Sequence, residues 1–408
     1  MIYHKALVTR MAAIEPSARI GQLRPTAVNS ILAEVRQMQS EGKSFVSLMR
    51  GEPDFRTPEH ITAAAQKALR DGRTAYPDNR GEPKLREAVR LKLERDNELR
   101  YDPANEILVT TGATFGIHAA LTAVLNPGDE VLLPEPVYDA YYSPVLLAGA
   151  VVRALPAAIE HGRFVLHAEA IEAACTPRTR MVLLNTPWNP TGTVFSRTEL
   201  ERIAEVVLRR NLVLLSDEIY EAITYAGHVH VSPATLSAEL RARSILVNSF
   251  SKTYAMTGWR AGYCAAPPAV TQAMFLVLQQ SSRGPATFVQ DACTEALAGS
   301  QECVATMRQQ YTARRSLVLQ TLGDVPGCRM LAPEGGFFAM ADIRDLGMPS
   351  NDVRRALMRD HGVVVAHGSA YGPSGEGTLR VSFATGGETL QRGLERLRAG
   401  LTALQRVA

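Results

Sequence analysis

The chain has 408 residues, of which 46% are hydrophobic and 21% charged, and its 44 basic and 41 acidic side chains leave a net charge of +3. This composition is typical of soluble globular proteins and excludes a disordered or collagen-like chain. The near-neutral charge gives no reason to expect nucleic acid or an acidic membrane as a partner. No apolar run approaches the ~18 residues needed to span a bilayer, so the sequence predicts no membrane association.

The cysteines and the N-terminal residues indicate in which cellular compartment the protein is expected. The five cysteines are widely spaced and include no C-x-x-C pair, which favours reduced thiols over a disulfide framework or a zinc cluster. Charges at Lys5, Arg10, Glu15 and Arg19 interrupt the N-terminal segment, so a secretory signal is not expected. We interpret this segment as a simple extension and predict a cytoplasmic protein, with an organelle transit peptide as the alternative.

Short apolar runs alternate with helical stretches over the first two thirds of the chain. Continuous apolar strands separated by helices indicate an α/β protein with a mostly parallel sheet covered on both faces. Amphipathic segments at Thr114–Leu125 and Arg197–Arg209 are predicted helices between the strands. The predicted strands lie at 106–112, 130–136, 181–187, 212–218 and 244–250.

From about Val304 the pattern changes to that of a smaller α+β domain. A long helix is predicted at Met307–Leu322, a strand at 335–343, a second helix at Asn351–Asp360 and a second strand at 379–385. We expect three parts: residues 1–55, which pack with the small domain; residues 56–303, the large domain; and residues 304–408, the small domain.

Each predicted strand of the large domain ends in polar residues. These are Thr110 and Thr111, Asn185, Asp217 with its neighbour Glu218, and Asn248 with Ser249. In open parallel sheets, ligands bind outside the carboxyl ends of the strands. The sequence therefore predicts that these side chains converge on one crevice.

Lysine use singles out one residue. Only six of the 44 basic residues are lysines, and Lys252 is the only one after Lys92. An arginine stays charged, whereas a lysine can lose its proton and act as a nucleophile. Lys252 follows a predicted strand in SFSKTYAMTGWR, between Ser249 and Arg260. A nucleophilic lysine flanked by hydroxyls and an arginine suits a partner that carries both an aldehyde and a phosphate.

Other motifs do not support a competing chemistry. Gly42-Lys43-Ser44 lacks the earlier glycine of a phosphate-binding P-loop, because Gln37 stands there. The sequence has no G-x-G-x-x-G after a strand, no G-x-S-x-G and no H-E-x-x-H. We interpret His228-x-His230 as a surface hairpin, since no third metal ligand stands nearby in the sequence, and predict no metal site.

The sequence resembles the class I pyridoxal-phosphate aminotransferases of fold type I. The segment from Ser249 to Arg260 is similar to their S-x-S-K-x-x-x-x-x-G-x-R signature. The resemblance covers about residues 19–405, and the other blocks follow the family's order. They are GEPDF at 51–55, YPDNRGEPKLR at 76–86, TTGAT at 110–114, NTPWNPTG at 185–192, SDEIYE at 216–221, EGGFF at 334–338 and LRVSFA at 379–384.

The resemblance implies pyridoxal 5'-phosphate as cofactor and Lys252, Asp217 and Tyr220 as catalytic residues. Lys252 would bond the cofactor's aldehyde and later act as the general base. Asp217 would face the pyridine nitrogen, where an anion keeps the nitrogen protonated and makes the ring an electron acceptor. Tyr220 and Asn189 would hydrogen-bond the phenolic oxygen, and Tyr138 would stack on the ring.

The remaining implied contacts involve the phosphate and the substrate. Ala113 and Thr114, at the start of a helix, would hold the phosphate together with Ser249 and Arg260, and Tyr76 would reach the phosphate of a neighbouring subunit. Arg380 would take the substrate α-carboxylate in a bidentate fork, with Asn189 and Gly51 as further substrate contacts. The resemblance thus implies a homodimer with shared sites.

The implied activity is ping-pong transfer of an α-amino group from an amino acid to a 2-oxo acid. A β-lyase or related carbanion chemistry on the same fold is the alternative, and a non-catalytic regulatory module is a more remote one. Two residues stay open. Trp188 either widens an apolar substrate contact or packs its loop, and Arg283 is either solvated or offers a distal carboxylate a second cation.

Overall fold

The computed structural model describes residues 14–23 and 25–405. Two sheets dominate it, one in each domain, with helices packed around them. The strands are β1 Val46–Ser47, β2 Ile107–Thr110, β3 Glu130–Glu135, β4 Val151–Pro156, β5 Ala158–Glu160, β6 Arg163–Val165, β7 Thr179–Asn185, β8 Val213–Asp217, β9 Ser244–Ser249, β10 Gly262–Ala265, β11 Arg329–Leu331, β12 Phe338–Asp342, β13 Val363–Val364, β14 Ala366–His367 and β15 Thr378–Ser382.

The helices share the expected amphipathic or buried character and connect these strands. They are α1 Ala27–Ser40, α2 Glu59–Arg70, α3 Pro83–Asn97, α4 Gly112–Val124, α5 Tyr142–Leu147, α6 Ala168–Ala174, α7 Arg197–Arg209, α8 Ala238–Arg241, α9 Phe250–Thr253, α10 Pro268–Gln279, α11 Thr287–Ala298, α12 Glu302–Leu322, α13 Ser350–His361 and α14 Gly387–Gln405. Across the described part of the chain, no helix combines the length and the apolar character that a bilayer crossing requires.

The large sheet has seven strands in the order β2-β10-β9-β8-β7-β3-β4. All neighbours pair in parallel except β10, which is antiparallel to both β2 and β9. Strands β2, β3 and β9 are buried along their whole length, as apolar runs covered on both faces must be. The predicted mostly parallel α/β sheet is confirmed, whereas the antiparallel β10 was not predicted.

Helix α7 shows how local sequence determines an element. Ser196 caps its N-terminus by accepting from the Glu199 backbone N–H, and the Glu199 carboxylate returns a bond to the Ser196 backbone N–H. Leu200, Ile203 and Val207 then recur on one face and are buried. The structure therefore begins and ends this helix at the predicted residues.

The smaller domain contains a four-stranded sheet in the order β11-β12-β15-β14. Its pairs are antiparallel, and helices α12, α13 and α14 pack around it. The N-terminal segment joins this domain, because β1 pairs in parallel with β13. Helix α1 adds Ile31 and Val35 to a cluster with Met358, Val364 and Tyr371.

Candidate active site

The main cavity, of about 960 Å³, lies where the large domain faces the small domain and α1. Strands β7, β8 and β9 end there, and Asn185 lies opposite Asp217 in the sheet register. Of the polar residues predicted to converge at the carboxyl ends of the strands, Asn185, Asp217 and Ser249 line the cavity. The prediction is wrong for Thr110, Thr111, Glu218 and Asn248, which are not among its lining residues and bond to other groups instead. The cavity is lined by these predicted residues: Gly51, Ala113, Thr114, Tyr138, Asn189, Asp217, Tyr220, Ser249, Lys252, Arg260 and Arg380.

Lys252 projects into this cavity from α9, the single turn that follows β9. Its Nζ donates a hydrogen bond to the Gly51 carbonyl and lies 6.0 Å from the centre of the Tyr220 ring. Burial lowers the pKa of Lys252 to about 8, with Glu52 and Asp217 acting to raise it and Arg380 and Arg260 acting to lower it. A pKa in this range lets the amine become a nucleophile near neutral pH.

Asp217 ends β8 and is 2% exposed. Its Oδ2 accepts a hydrogen bond from the Tyr141 hydroxyl at 2.5 Å, and its Oδ1 accepts one from the Ile219 N–H at 3.3 Å. Burial raises the pKa of Asp217 to about 6, while Tyr141 and Lys252 act to lower it. A buried carboxylate held in this way is set to pair with a cationic group in the cavity.

An anion cradle surrounds the start of α4. Gly112 has a φ of +77°, and a Cβ built there would lie 2.8 Å from the Arg260 guanidinium, so glycine lets the arginine approach the helix N-terminus. Ser249 caps α9 and donates to the Ser251 hydroxyl at 2.8 Å. Helix N–H groups, hydroxyls and a guanidinium around one space form a site suited to a phosphate.

Arg380 lies on β15 and is 2% exposed. Its guanidinium donates to the Asn189 Oδ1 at 3.2 Å and to the Met49 carbonyl at 3.0 Å, and it stacks 4.1 Å above the Phe338 ring. Its Nε is buried without a hydrogen-bond partner among the described residues. A buried guanidinium with a free donor is prepared for an incoming carboxylate.

Two predicted aromatic residues occupy different positions. Tyr138 follows β3 at the cavity wall, with its ring 5.4 Å from that of Tyr141 in an edge arrangement. Tyr76 is 88% exposed and does not line the cavity of its own chain. Trp188 is 3% exposed and stacks on Phe195, so it packs its loop. Arg283 is exposed and lies outside this chain's cavity.

The interpretation of His228-x-His230 as a surface hairpin is wrong for His230. Its side chain is 6% exposed, and its Nε2 lies 2.9 Å from Glu218. Glu218 is fully buried beside Asp217 and also accepts bonds from Ser216 and Ser232. The loop after β8 folds back to satisfy this carboxylate, a contact that local spacing did not reveal.

A second buried carboxylate, that of Glu221, is connected to the site through Asn248. Glu221 is ion-paired with Lys92 and accepts from Asn97 at 2.7 Å and from Asn248 at 2.6 Å. Asn248 in turn accepts from the Ser249 N–H at 2.7 Å. Burial raises the pKa of Glu221, but Lys92 and the other partners lower it below its usual range. Glu218, Glu221 and His230 have ligand atoms within 4.8 Å of one another, and Lys92 already supplies Glu221 with a positive charge.

This network makes a stability prediction. Lys92→Met should lower the free energy of unfolding by ~3–5 kcal/mol, since it leaves the Glu221 carboxylate buried without its cation. Lys92→Met/Glu221→Gln should recover part of that loss, because the uncompensated charge is gone. Urea unfolding of both variants checks this. A double variant as unstable as Lys92→Met would contradict the ion-pair explanation.

Among the cavity-lining residues that sequence reasoning did not single out are Tyr141 and Asp139. Both stand in PEPVYDAYYSP, where three tyrosines are close together and only Tyr138 matched a family position. Tyr141 is buried and donates to Asp217. Its spacing of three residues from Tyr138 was the available signal, because a helical turn after the strand brings both rings to one side.

The cavity fits one type of cofactor. A lysine that loses its proton readily, placed between an anion cradle and a buried carboxylate, suits a molecule with an aldehyde, a phosphate and a ring nitrogen. The fold and this arrangement define a pyridoxal-phosphate-dependent enzyme of fold type I.

Comparison with known proteins identifies the family. The protein-family model described as aminotransferase class I and II matches residues 43–397. An aspartate aminotransferase from Bacillus sp. is 36% identical over 93% of this chain and 97% of its own length, and an aromatic-amino-acid aminotransferase 2 from Thermococcus litoralis is 37% identical over 93% and 97%. The crystal structure of the Rhizobium meliloti aspartate aminotransferase superposes with a TM-score of 0.91, at 37% identity over 95% and 99% of the two chains. The chain belongs to the class I and II aminotransferases.

The protein is therefore a pyridoxal-phosphate-dependent aminotransferase, as the sequence resemblance implied. Its substrates are amino acids and 2-oxo acids. The named relatives transfer amino groups, which favours this activity over the β-lyase and regulatory alternatives.

Proposed function

We propose that this aminotransferase uses Lys252, Asp217 and Arg380 as its central residues, in the roles that the resemblance implied. The observation that carries the proposal is that all three line one cavity together with Ala113, Ser249 and Arg260 of the anion cradle. When bound, pyridoxal phosphate supplies an aldehyde that exchanges amino groups and a ring that accepts electrons. The residues themselves bind, orient and move protons.

Each end of the cofactor has a matching group in the cavity. The first turn of α4, with Ala113 and Thr114, and the side chains of Ser249 and Arg260 would hold the phosphate. Asp217 would hold a proton on the ring nitrogen, with Tyr141 fixing the carboxylate. In addition, Tyr138 would cover one face of the ring, and Asn189 and Tyr220 would face its phenolic oxygen.

Proton transfer at the substrate Cα would fall to Lys252. Its pKa of about 8 suits a general base near neutral pH, because such a base must be deprotonated yet still attract the proton. Arg380 would fix the α-carboxylate, which orients the Cα–H bond toward the amine. The Gly51 carbonyl, which accepts from Lys252, would steady the freed ammonium.

We also propose the domain division at residues 1–55, 56–303 and 304–408. The pairing of β1 with β13 and the packing of α1 against Met358 and Tyr371 support assigning the N-terminal segment to the small domain. A cytoplasmic location is proposed as well. The five free cysteines, three of them buried, support a reducing environment.

We propose a homodimer in which Tyr76 reaches the phosphate in the partner subunit's site. Two observations support it: Tyr76 is 88% exposed, and it lies outside the cavity of its own chain. Tyrosine is enriched at protein interfaces, where its ring is buried and its hydroxyl finds a hydrogen-bond partner. Loss of a hydroxyl–phosphate bond should weaken cofactor binding by about 10–100-fold.

Mixing variants tests the shared site. Lys252→Ala and Tyr76→Phe proteins are unfolded together, refolded and assayed at limiting cofactor. We expect activity above that of either variant, because one site of each hybrid carries neither substitution. A mixture of Tyr76→Phe with Lys252→Ala/Tyr76→Phe is the matched control, which contains no intact site. Equal activity in the two mixtures, or an active monomer by light scattering, would refute the shared site.

A further inference from the structure

Asp139 is a cavity side chain to which the catalytic roles above assign nothing. It directly follows Tyr138 and begins a short 3-10 turn, Asp139–Tyr141, at the cavity wall. Its Oδ2 accepts a hydrogen bond of 2.6 Å from the backbone N–H of Ala27, the first residue of α1. Its Oδ1 is buried and has no hydrogen-bond partner among the described residues.

A buried carboxylate oxygen without a donor is unfavourable, and it needs either a partner or a function. Asp139 lines the cavity, so a molecule bound there can supply the missing donor. The cavity lining also includes the apolar side chains of Val28, Leu32 and Ile117 and the amide of Asn29. With the α-carboxylate at Arg380 and the reacting carbon at Lys252, Asp139 would be a charged group left to face the substrate side chain.

The cations of the cavity are already engaged. Its described lining residues include Arg50, Lys252, Arg260 and Arg380. The last three have the lysine, phosphate and α-carboxylate roles proposed above. Arg50 is 57% exposed at its side chain and paired with Glu52. A dicarboxylic amino acid would therefore bring its second carboxylate toward Asp139 with no described free cation to offset the repulsion.

We infer that Asp139 determines specificity by accepting a hydrogen bond from a substrate side chain that ends in an N–H or O–H group. The cavity then selects amino acids with such donors over dicarboxylic amino acids. This inference rests on the proposed function, because it places the substrate α-carboxylate at Arg380 and the reacting carbon at Lys252. Asp139 accepts a hydrogen bond from the substrate side chain and takes no part in proton transfer.

Asp139→Asn is the informative change. The asparagine carbonyl can keep the bond from the Ala27 N–H, which leaves the amide NH2 facing the cavity in place of a carboxylate oxygen. The wall would change from an acceptor to a donor with almost no change in shape. The preference for substrate side chains should therefore invert without a change in how α1 is held.

The test is single-turnover reaction of the cofactor-loaded enzyme with one amino acid at a time, followed by the cofactor spectrum. Two pairs of different length serve as probes, glutamine with glutamate and asparagine with aspartate. Burial raises the pKa of Asp139, so the assay is run at pH 8, which favours the ionised carboxylate. We expect the wild type to prefer the amide in at least one pair, and Asp139→Asn to lower that amide-to-acid ratio of kcat/KM by about 10–100-fold.

Ala27→Pro separates specificity from anchoring. It removes the backbone N–H that donates to Asp139 but leaves the Asp139 carboxylate in place. Proline is tolerated at the first position of a helix. The residue before it, Thr26, already has the extended φ and ψ that a following proline needs. If Asp139 only anchors α1, Ala27→Pro should lower all rates alike and Asp139→Asn should change little. If Asp139 determines specificity, Ala27→Pro should keep the wild-type ratio, whereas Asp139→Asn should lower it.

The outcomes distinguish this inference from the proposed function. Asp71→Asn, which alters an exposed carboxylate paired with Lys67, is the charge control and should leave every ratio unchanged. Amino transfer with an unmoved ratio in Asp139→Asn would overturn the inference alone, whereas no transfer with any amino acid would overturn the proposed function. Should Asp139→Asn fail to fold, a wild type that prefers the acid in both pairs would still overturn the inference.

Discussion

Lys252→Ala is expected to retain the fold and lose at least ~10³-fold of the amino-transfer rate, since one substitution removes both the nucleophile and the general base. Lys252 lies on a four-residue helical turn, and its side-chain amine makes one hydrogen bond, to the Gly51 carbonyl. Little stability should therefore be lost. The measurements are the steady-state rate, the visible absorbance of the bound cofactor and the thermal midpoint.

A second lysine provides the matched control. Lys67 lies on α2 and is 70% exposed at its side chain, where it pairs with Asp71 four residues later. Such an exposed pair contributes at most ~0.5 kcal/mol, so Lys67→Ala should leave both activity and spectrum unchanged. If Lys252→Ala kept near-normal transfer, the assignment of the base would be wrong.

Five of the seven strands of the large sheet could be predicted because they are covered on both faces, whereas the edge strand β4 is largely exposed and was not predicted. A strand covered on both faces must be apolar throughout, so β2, β3, β7, β8 and β9 appear in the sequence as continuous runs. The four-residue β10, GYCA, is too short and too low in branched residues to stand out. It enters the sheet through pairing with β2 and β9, and such distant pairing leaves no local pattern.

The same distinction applies to the site residues, because the sequence pattern marked some of them and not others. Asp217 and Ser249 follow apolar strands, and Lys252 lies just beyond one, so position alone marked them as cavity residues. Arg380 and Tyr138 came only with the family resemblance, because an arginine on a short strand and one tyrosine among several carry no distinguishing pattern. Asp139 was missed for a physical reason. Its importance depends on Ala27, which is 112 positions away in the chain.

His230 shows the opposite failure, in which a plausible local interpretation was wrong. Two histidines separated by one residue in a loop indicate an exposed turn when no third ligand stands near them. In the fold, the carboxylate of Glu218, which lies 12 positions before His230, is fully buried and needs donors. That demand draws His230 inward. The need for hydrogen-bond donors to Glu218 arises only once this residue, directly after β8, has been buried.

Asp217→Asn is expected to lower the amino-transfer rate by about 100-fold, the equivalent of ~3 kcal/mol. The amide keeps the shape and can still accept from Tyr141, but it has no charge with which to hold a proton on the ring nitrogen. Tyr141→Phe is the matched comparison. It removes a bond of 2.5 Å to the same carboxylate and should cost less than 10-fold, since the charge remains.

The pH dependence of cofactor binding gives an independent test. Burial raises the pKa of Asp217 to about 6 in the protein alone, so the carboxyl is largely neutral at pH 5 and ionised at pH 7.5. A cationic ring binds the ionised form better, so cofactor affinity should rise between these values. The phosphate of the cofactor titrates in the same range, but that contribution is common to wild type and Asp217→Asn. The dissociation constant of Asp217→Asn divided by that of the wild type should therefore grow with pH. A quotient independent of pH would rule out charge pairing as the role of Asp217.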